Sequence, residues 1–175
     1  MKTHEYGLAG LCLAAACGAA LAQNAHVHGA AELLVAVEKD HVAIELRSPL
    51  ENLVGFEHAP RTDAQRAAMK AMTEKLKRPE ALFRLPGAAA CKAAPARIES
   101  PFDAAKPARS RGEHAELTAA YRFDCAGMGR LDAIEVAVFD AFPRTAEIKA
   151  QVVGPRGQAG ARLTPKRRTL RLGPS

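Results

Sequence analysis

Histidine is the side chain with most to say here. The chain has six, of which His26, His28, His41, His58 and His114 lie beyond the first 22 residues. His26 and His28 are spaced i, i+2, so on an extended strand both rings point to one side. Two same-face imidazoles supply half of a tetrahedral zinc site, whose nitrogen ligands stand about 2.0–2.1 Å from the metal. His58 is preceded by Glu57. His114 is preceded by Glu113 and shares its strand face with Glu116. Imidazole and carboxylate together suit zinc, and imidazole also suits copper and nickel. A plainer account stands beside the metal reading: a lone exposed histidine means nothing. His41, which follows the polar turn Lys39-Asp40, is expected to be merely solvated.

Other chemistry is poorly represented. The chain has no glycine-rich phosphate loop, no nucleophile elbow and no helical HExxH. Ser48, Ser100, Ser110 and Ser175 stand in no catalytic motif. A metal-dependent hydrolase would need three converging ligands, an open coordination position and a general base. The expectation is a binding protein and not an enzyme.

The compartment follows from the first residues. Lys2 supplies a charged start, Gly7 to Ala20 is an apolar and small-residue run, and Ala20-Leu21-Ala22 is a small-x-small cleavage site before Gln23. That order reads as a cleavable signal peptide over residues 1–22. The run falls short of the roughly 20 residues a bilayer span needs, which argues against a retained anchor. Lipoprotein processing at Cys17 would want an aliphatic residue where Ala14 stands. Residues 23–175 then form one domain of ordinary size, with no integral membrane segment.

Cys12 and Cys17 leave with the signal, so Cys91 and Cys125 remain. Two cysteines in an oxidising compartment are expected to pair. The alternatives are two buried free thiols, or a metal-ligating pair that a disulfide would forbid. The formal charge is +6, and much of the excess sits in Lys166, Arg167, Arg168 and Arg171. No aromatic is interleaved there, so nucleic acid is not the expected partner. Attraction to anionic envelope lipids or a solvated edge is the simpler reading.

These side chains need elements to position them. Residues His26 to Val37 alternate, with Val27, Ala31, Leu33, Val35 and Val37 on one face and His26, His28 and Glu32 on the other. Residues His41 to Arg47 alternate again, which predicts a hairpin. Ser48-Pro49 closes the second strand, and Leu50 to Arg61 reads as an irregular connection. Thr62 with Gln65 forms a capping-box pattern, and Ala68, Met69, Met72 and Leu76 make an apolar helical stripe. Further strands are predicted at Ala81 to Leu85, Cys91 to Glu99, His114 to Cys125, Leu131 to Phe139, Glu147 to Val153 and Thr169 to Leu172. The sum is an α+β domain, mainly antiparallel β with about seven or eight strands and one amphipathic helix.

Several stretches resemble one family. HVHGAAELLVAVEKDHVAIELRSPLENLVGFEHAPRTDAQ, LFRLPGAAAC, EHAELTAAYRFDC and the segment containing VFDAFPRTAEIKAQVVGPRGQ, in that order, are similar to the ZrgA-like zinc-uptake proteins. The most distinctive pieces are the HxHG start, SPxxNLVGFEH and the EHAE strand opening. The resemblance implies a bacterial periplasmic protein that binds zinc and assists its import beside an inner-membrane transporter. It implies ligands at His26, His28, His58 and His114, with Glu116 or Glu113 as carboxylate partner. One departure stands out. The segment before EHAE, often rich in His, Asp and Glu in such proteins, reads FDAAKPARSRG from Phe102 to Gly112, with no histidine and one acid. The rival expectation is therefore an envelope scaffold that binds a partner through a sheet edge or the basic tail.

Overall fold

The computed structural model describes residues 29–102 and 115–173. The signal peptide, His26, His28, Glu113 and His114 lie outside the described residues.

The predicted hairpin is present. Strands β1 (Ala30–Val37) and β2 (His41–Pro49) pair antiparallel, with Val35 opposite Ile44 and Leu33 opposite Leu46. Alternation decides the faces: Ala31, Leu33, Val35, Val42, Ile44 and Leu46 are buried. Gly29, at φ 85°, stands immediately before β1. The strand starts after it, so the period-two argument that set His28 and Glu32 on one face does not carry back through Gly29.

Leu50 to Arg61 is not wholly irregular. Leu50–Val54 is a short helix, α1, ended by Gly55 at φ 84°, whose N–H donates to the Glu51 carbonyl. Its Leu50, Asn52 and Leu53 are buried, a spacing too brief to register as helical periodicity. Helix α2 (Asp63–Leu76) begins where the capping box places it: Thr62 Oγ1 accepts from Gln65 N–H at 3.2 Å, and Gln65 Oε1 accepts from Thr62 N–H at 3.3 Å. Met72 and Leu76 reach the core, which makes both methionines of this stripe packing residues. Two four-residue helices complete the set, α3 (Pro79–Leu82) and α4 (Val138–Ala141).

Ten strands are found among the described residues. Two arise where the sequence shows less. Cys91 to Glu99 divides at Pro95 into β4 (Cys91–Ala93) and β5 (Arg97–Glu99), because proline cannot donate to a ladder. β9 (Gly157–Leu163), sequence GQAGARL, has too little apolar alternation to be read as a strand. The remaining strands are β3 (Phe83–Arg84), β6 (Glu116–Cys125), β7 (Ala133–Val136), β8 (Glu147–Gly154) and β10 (Thr169–Arg171). The run Leu131 to Phe139, expected as a single central strand, is strand only over β7 and then turns into α4. β7 is nonetheless the middle strand of a three-stranded sheet ordered β10-β7-β3.

The main sheet has seven strands in the order β4-β6-β2-β1-β8-β9, with β5 also paired to β6. Most pairs are antiparallel, and β1 with β8 is parallel. The inner face, with Leu117, Tyr121, Phe123, Ile148 and Val152, packs into one apolar cluster with Met72, Leu76, Phe83, Ile134, Phe139 and Phe142. Phe83 meets Tyr121 edge-on, 5.1 Å between ring centroids. Burial pushes the Tyr121 phenol well above its ordinary range. Cys91 and Cys125 face each other in the β4–β6 register and form a disulfide. No described helix is long and apolar enough to cross a membrane.

Candidate metal centre

One end of the main sheet gathers Gly29 and Ala115, the described residues that follow His28 and His114 in the sequence. β2 ends there, β1, β6 and β8 begin there, and α1 leaves from it. Its organiser is Asn52 on α1, 2% exposed. Asn52 Oδ1 accepts the Gly29 N–H at 2.8 Å. Its Nδ2 donates to the Ala30 carbonyl at 2.8 Å and to Ser48 Oγ at 3.3 Å. A buried amide left unpaired is costly, so these bonds fix the point where the chain enters β1. The Gly29 carbonyl in turn accepts from Ala146 N–H at 2.8 Å and Glu147 N–H at 3.0 Å.

The same helix holds the other entry. Leu50 N–H donates to the Ala115 carbonyl at 2.8 Å, and Glu116 stands opposite Pro49. β1 and β6 flank β2 on either side. Two strand spacings separate their starts, about 9.5 Å. Gly29 follows His28 in the chain, and Ala115 follows His114. The described neighbours of both histidines are thus tied to one short segment, Leu50 to Asn52.

The Gly55 turn, three residues before His58, lies near the same end. Arg144 connects the two glycines: its carbonyl oxygen is 3.6 Å from where a Cβ on Gly29 would stand, and its guanidinium carbon is 3.0 Å from where one on Gly55 would stand. The chain then runs from Gly55 through Phe56 and Glu57 to His58. The His58 ring stacks on Phe56, 5.3 Å between centroids. His58 Nδ1 lies 2.9 Å from the Ala59 carbonyl oxygen, an acceptor only, so Nδ1 carries the proton. In the neutral ring Nε2 is then the bare nitrogen. A ring N–H given to a backbone carbonyl is how metal-ligating histidines are commonly oriented.

Glu116 opens β6 half-buried. Glu147 opens β8 at the same end, and its carboxylate accepts from Arg162 at 2.8 Å. His41 is at the opposite end of the sheet and is not simply solvated: its side chain is 19% exposed, with Nδ1 2.7 Å from Asp40 Oδ1. That bond holds the Asp40 carboxyl below its usual range. Among the described residues, no three His, Cys, Asp or Glu side chains form a metal-binding group. Of the expected ligands, His58 and Glu116 are described, and His26, His28 and His114 fall outside. Asn52, which positions the entry to β1, and Arg144, which packs beside Gly29 and Gly55, are the residues that sequence reasoning did not single out. Both lie inside the stretches that carried the resemblance, SPLENLVGFEH and FPRTAE.

A ZrgA family zinc uptake protein match covers residues 25–172. The chain belongs to the ZrgA family. The match takes in the HxHG start, α1 with its Asn52, and the β6 opening together. No curated protein matches the sequence. Membership of the ZrgA family gives the chain a role in zinc uptake.

Proposed function

We propose that this ZrgA-family chain is exported through a cleaved signal peptide, binds zinc in the periplasm without transforming it, and assists its import by an inner-membrane transporter. The cargo ligands are His28, His58 and His114, with His26 and the carboxylate of Glu116 or Glu113 completing the shell. One observation carries the reading: the Leu50–Asn52 segment ties down the residues that follow His28 and His114 in the chain. Zinc in an oxidising compartment is well served by imidazole and carboxylate, and Cys91 and Cys125 are engaged with each other. His26 lies close behind the expected new N-terminus at Gln23, so the freed α-amine is a further donor near the site.

Calorimetric titration of zinc into the metal-stripped protein tests this. The expectation is binding tighter than about millimolar, at least tenfold weaker in His28→Ala and in His114→Ala, since lost ligands remove binding free energy directly. Affinity unchanged in both variants would sink it. Parallel titrations with copper and nickel identify the preferred cargo. A second reading, an envelope scaffold without metal binding, is favoured by the histidine-free segment Phe102 to Gly112. It predicts no zinc heat at all.

A further inference from the structure

The two cysteines of the disulfide are not equally covered. Cys125 faces the core and is 6% exposed. Cys91 is half-buried, and a cavity of about 300 Å³ opens beside it. Phe83, Leu85, Pro86 and Phe123 supply apolar lining, Arg84 and Cys91 line it too, and Cys125 does not. β3 and β4 belong to different sheets, and the chain passes between them through Pro86 and the tight turn Gly87–Ala89. The cavity lies in that gap. Its size is at the lower end of small-molecule sites.

The chain on each side of Cys91 is held without help from the disulfide. Ala89 is fully buried, and its carbonyl accepts the Gly127 N–H at 2.9 Å. The Ala94 N–H donates to the Arg122 carbonyl at 2.8 Å. β4 is thus anchored just before and just after its three residues, so the S–S bond can open while the strand stays seated. We propose that Cys91 is a thiol-exchange site, at which a small thiol enters the cavity and attacks Cys91 Sγ in the folded protein. The incoming thiolate bonds to Cys91 Sγ, the Sγ–Sγ bond breaks, and Cys125 leaves as a thiolate that takes a proton from water. One disulfide replaces another, so no further oxidant or reductant is consumed. The rate of such exchange depends on which sulfur is attacked and on access to it. Releasing a thiolate into apolar surroundings is costly, which slows the step. It does not redirect it, because attack at Cys125 requires a thiolate to reach a core sulfur. The product carries the small thiol on Cys91, and Cys125 can expel it again by the reverse step.

Peptide mapping after acid quenching tests the site. The oxidised full chain is mixed with reduced glutathione at about pH 8, where thiolate is present. Glutathione on Cys91 is expected to exceed that on Cys125 by at least about tenfold, with a rate proportional to glutathione concentration. In urea strong enough to unfold the chain, the preference is expected to vanish. Single variants give an independent reading. The free Cys91 of Cys125→Ser is expected to react with dithiobis-nitrobenzoate at least about tenfold faster than the free Cys125 of Cys91→Ser, both folded by circular dichroism. Glutathione found equally on both cysteines of the folded chain overturns the proposal. So does a rate that levels off with glutathione concentration, which marks attack only after unfolding. A preference that persists in urea, or equal reactivity of the two folded variants, overturns it as well.

Discussion

Asn52 Oδ1 accepts the backbone N–H of Gly29 at 2.8 Å, while its Nδ2 donates to the next carbonyl, Ala30. A single buried amide thus reads both polarities of the backbone where the chain enters β1. The residue before Gly29 is a histidine, so one side chain both supports the fold and ties down the residue that follows a candidate ligand.

Asn52→Ala separates these two roles by measurement. Removing a buried, fully bonded amide and stranding its partners costs about 1–3 kcal/mol, seen as a lower urea midpoint. Zinc affinity is expected to fall at least tenfold more than in Phe123→Ala, a core truncation at the end of β6 opposite Glu116 that costs about 3–5 kcal/mol. Equal zinc affinity in the two variants would remove Asn52 from the site.

Gly29 and Gly55 both hold left-handed backbone, at φ 85° and 84°, where a side chain costs about 1–2 kcal/mol. Their surroundings differ. A Cβ on Gly29 would meet the Ala146 Cβ at 3.2 Å, beside the strand opening of β8. On Gly55 it would meet the end of the flexible Arg144 side chain. Gly29→Ala is therefore expected to destabilise more than Gly55→Ala, as thermal melting of the pair will show.

The disulfide closes a separation of 34 residues, worth about 3–4 kcal/mol in the chain-entropy account. Cys91→Ser with Cys125→Ser is expected to lower stability by that order. Zinc affinity is expected to stay unchanged, because Cys125 ends β6 and Glu116 begins it. A large loss of zinc binding in the folded double variant would revive the thiol-ligand alternative.

The Asp40 carboxyl, bonded to His41, titrates below the usual carboxylate range. The sign follows: its contribution is present above the ordinary Asp pKa and is lost as pH falls through the lowered one. Because Asp40 is exposed, the contribution is small. A side-chain NMR titration is expected to show the lowered value, and His41→Ala is expected to raise it towards the ordinary range, with Arg122 still holding it down in part.

Much of this architecture is readable from residue patterns. The β1–β2 hairpin and β6 alternate strictly, and a half-buried strand has no other way to be built. The capping box at Thr62 and Gln65 marks α2 at its first residue. β9 escapes because glycine and alanine leave no hydrophobic contrast, and its place is set by the tight turn after β8. α1 escapes because five residues hold barely more than one turn. For the site, the histidines and Glu116 stand out by type. Asn52 does not, since an asparagine in sequence carries no mark of burial. Its role emerges only once Gly29, Ala30 and Ser48 are brought around it.

The Cys91–Cys125 bond also has a consequence in time. A chain synthesised where thiols stay reduced lacks this cross-link, and with it about 3–4 kcal/mol out of a typical total of 5–15 kcal/mol. Such a chain holds its β4–β6 seam by hydrogen bonds and the packing of Ala93 and Phe123 into the core, and opens there more readily. Once oxidised, the same seam is locked. On the proposed export route, the rigidity of the sheet would be gained at the destination, after the stage at which a looser chain is easier to move.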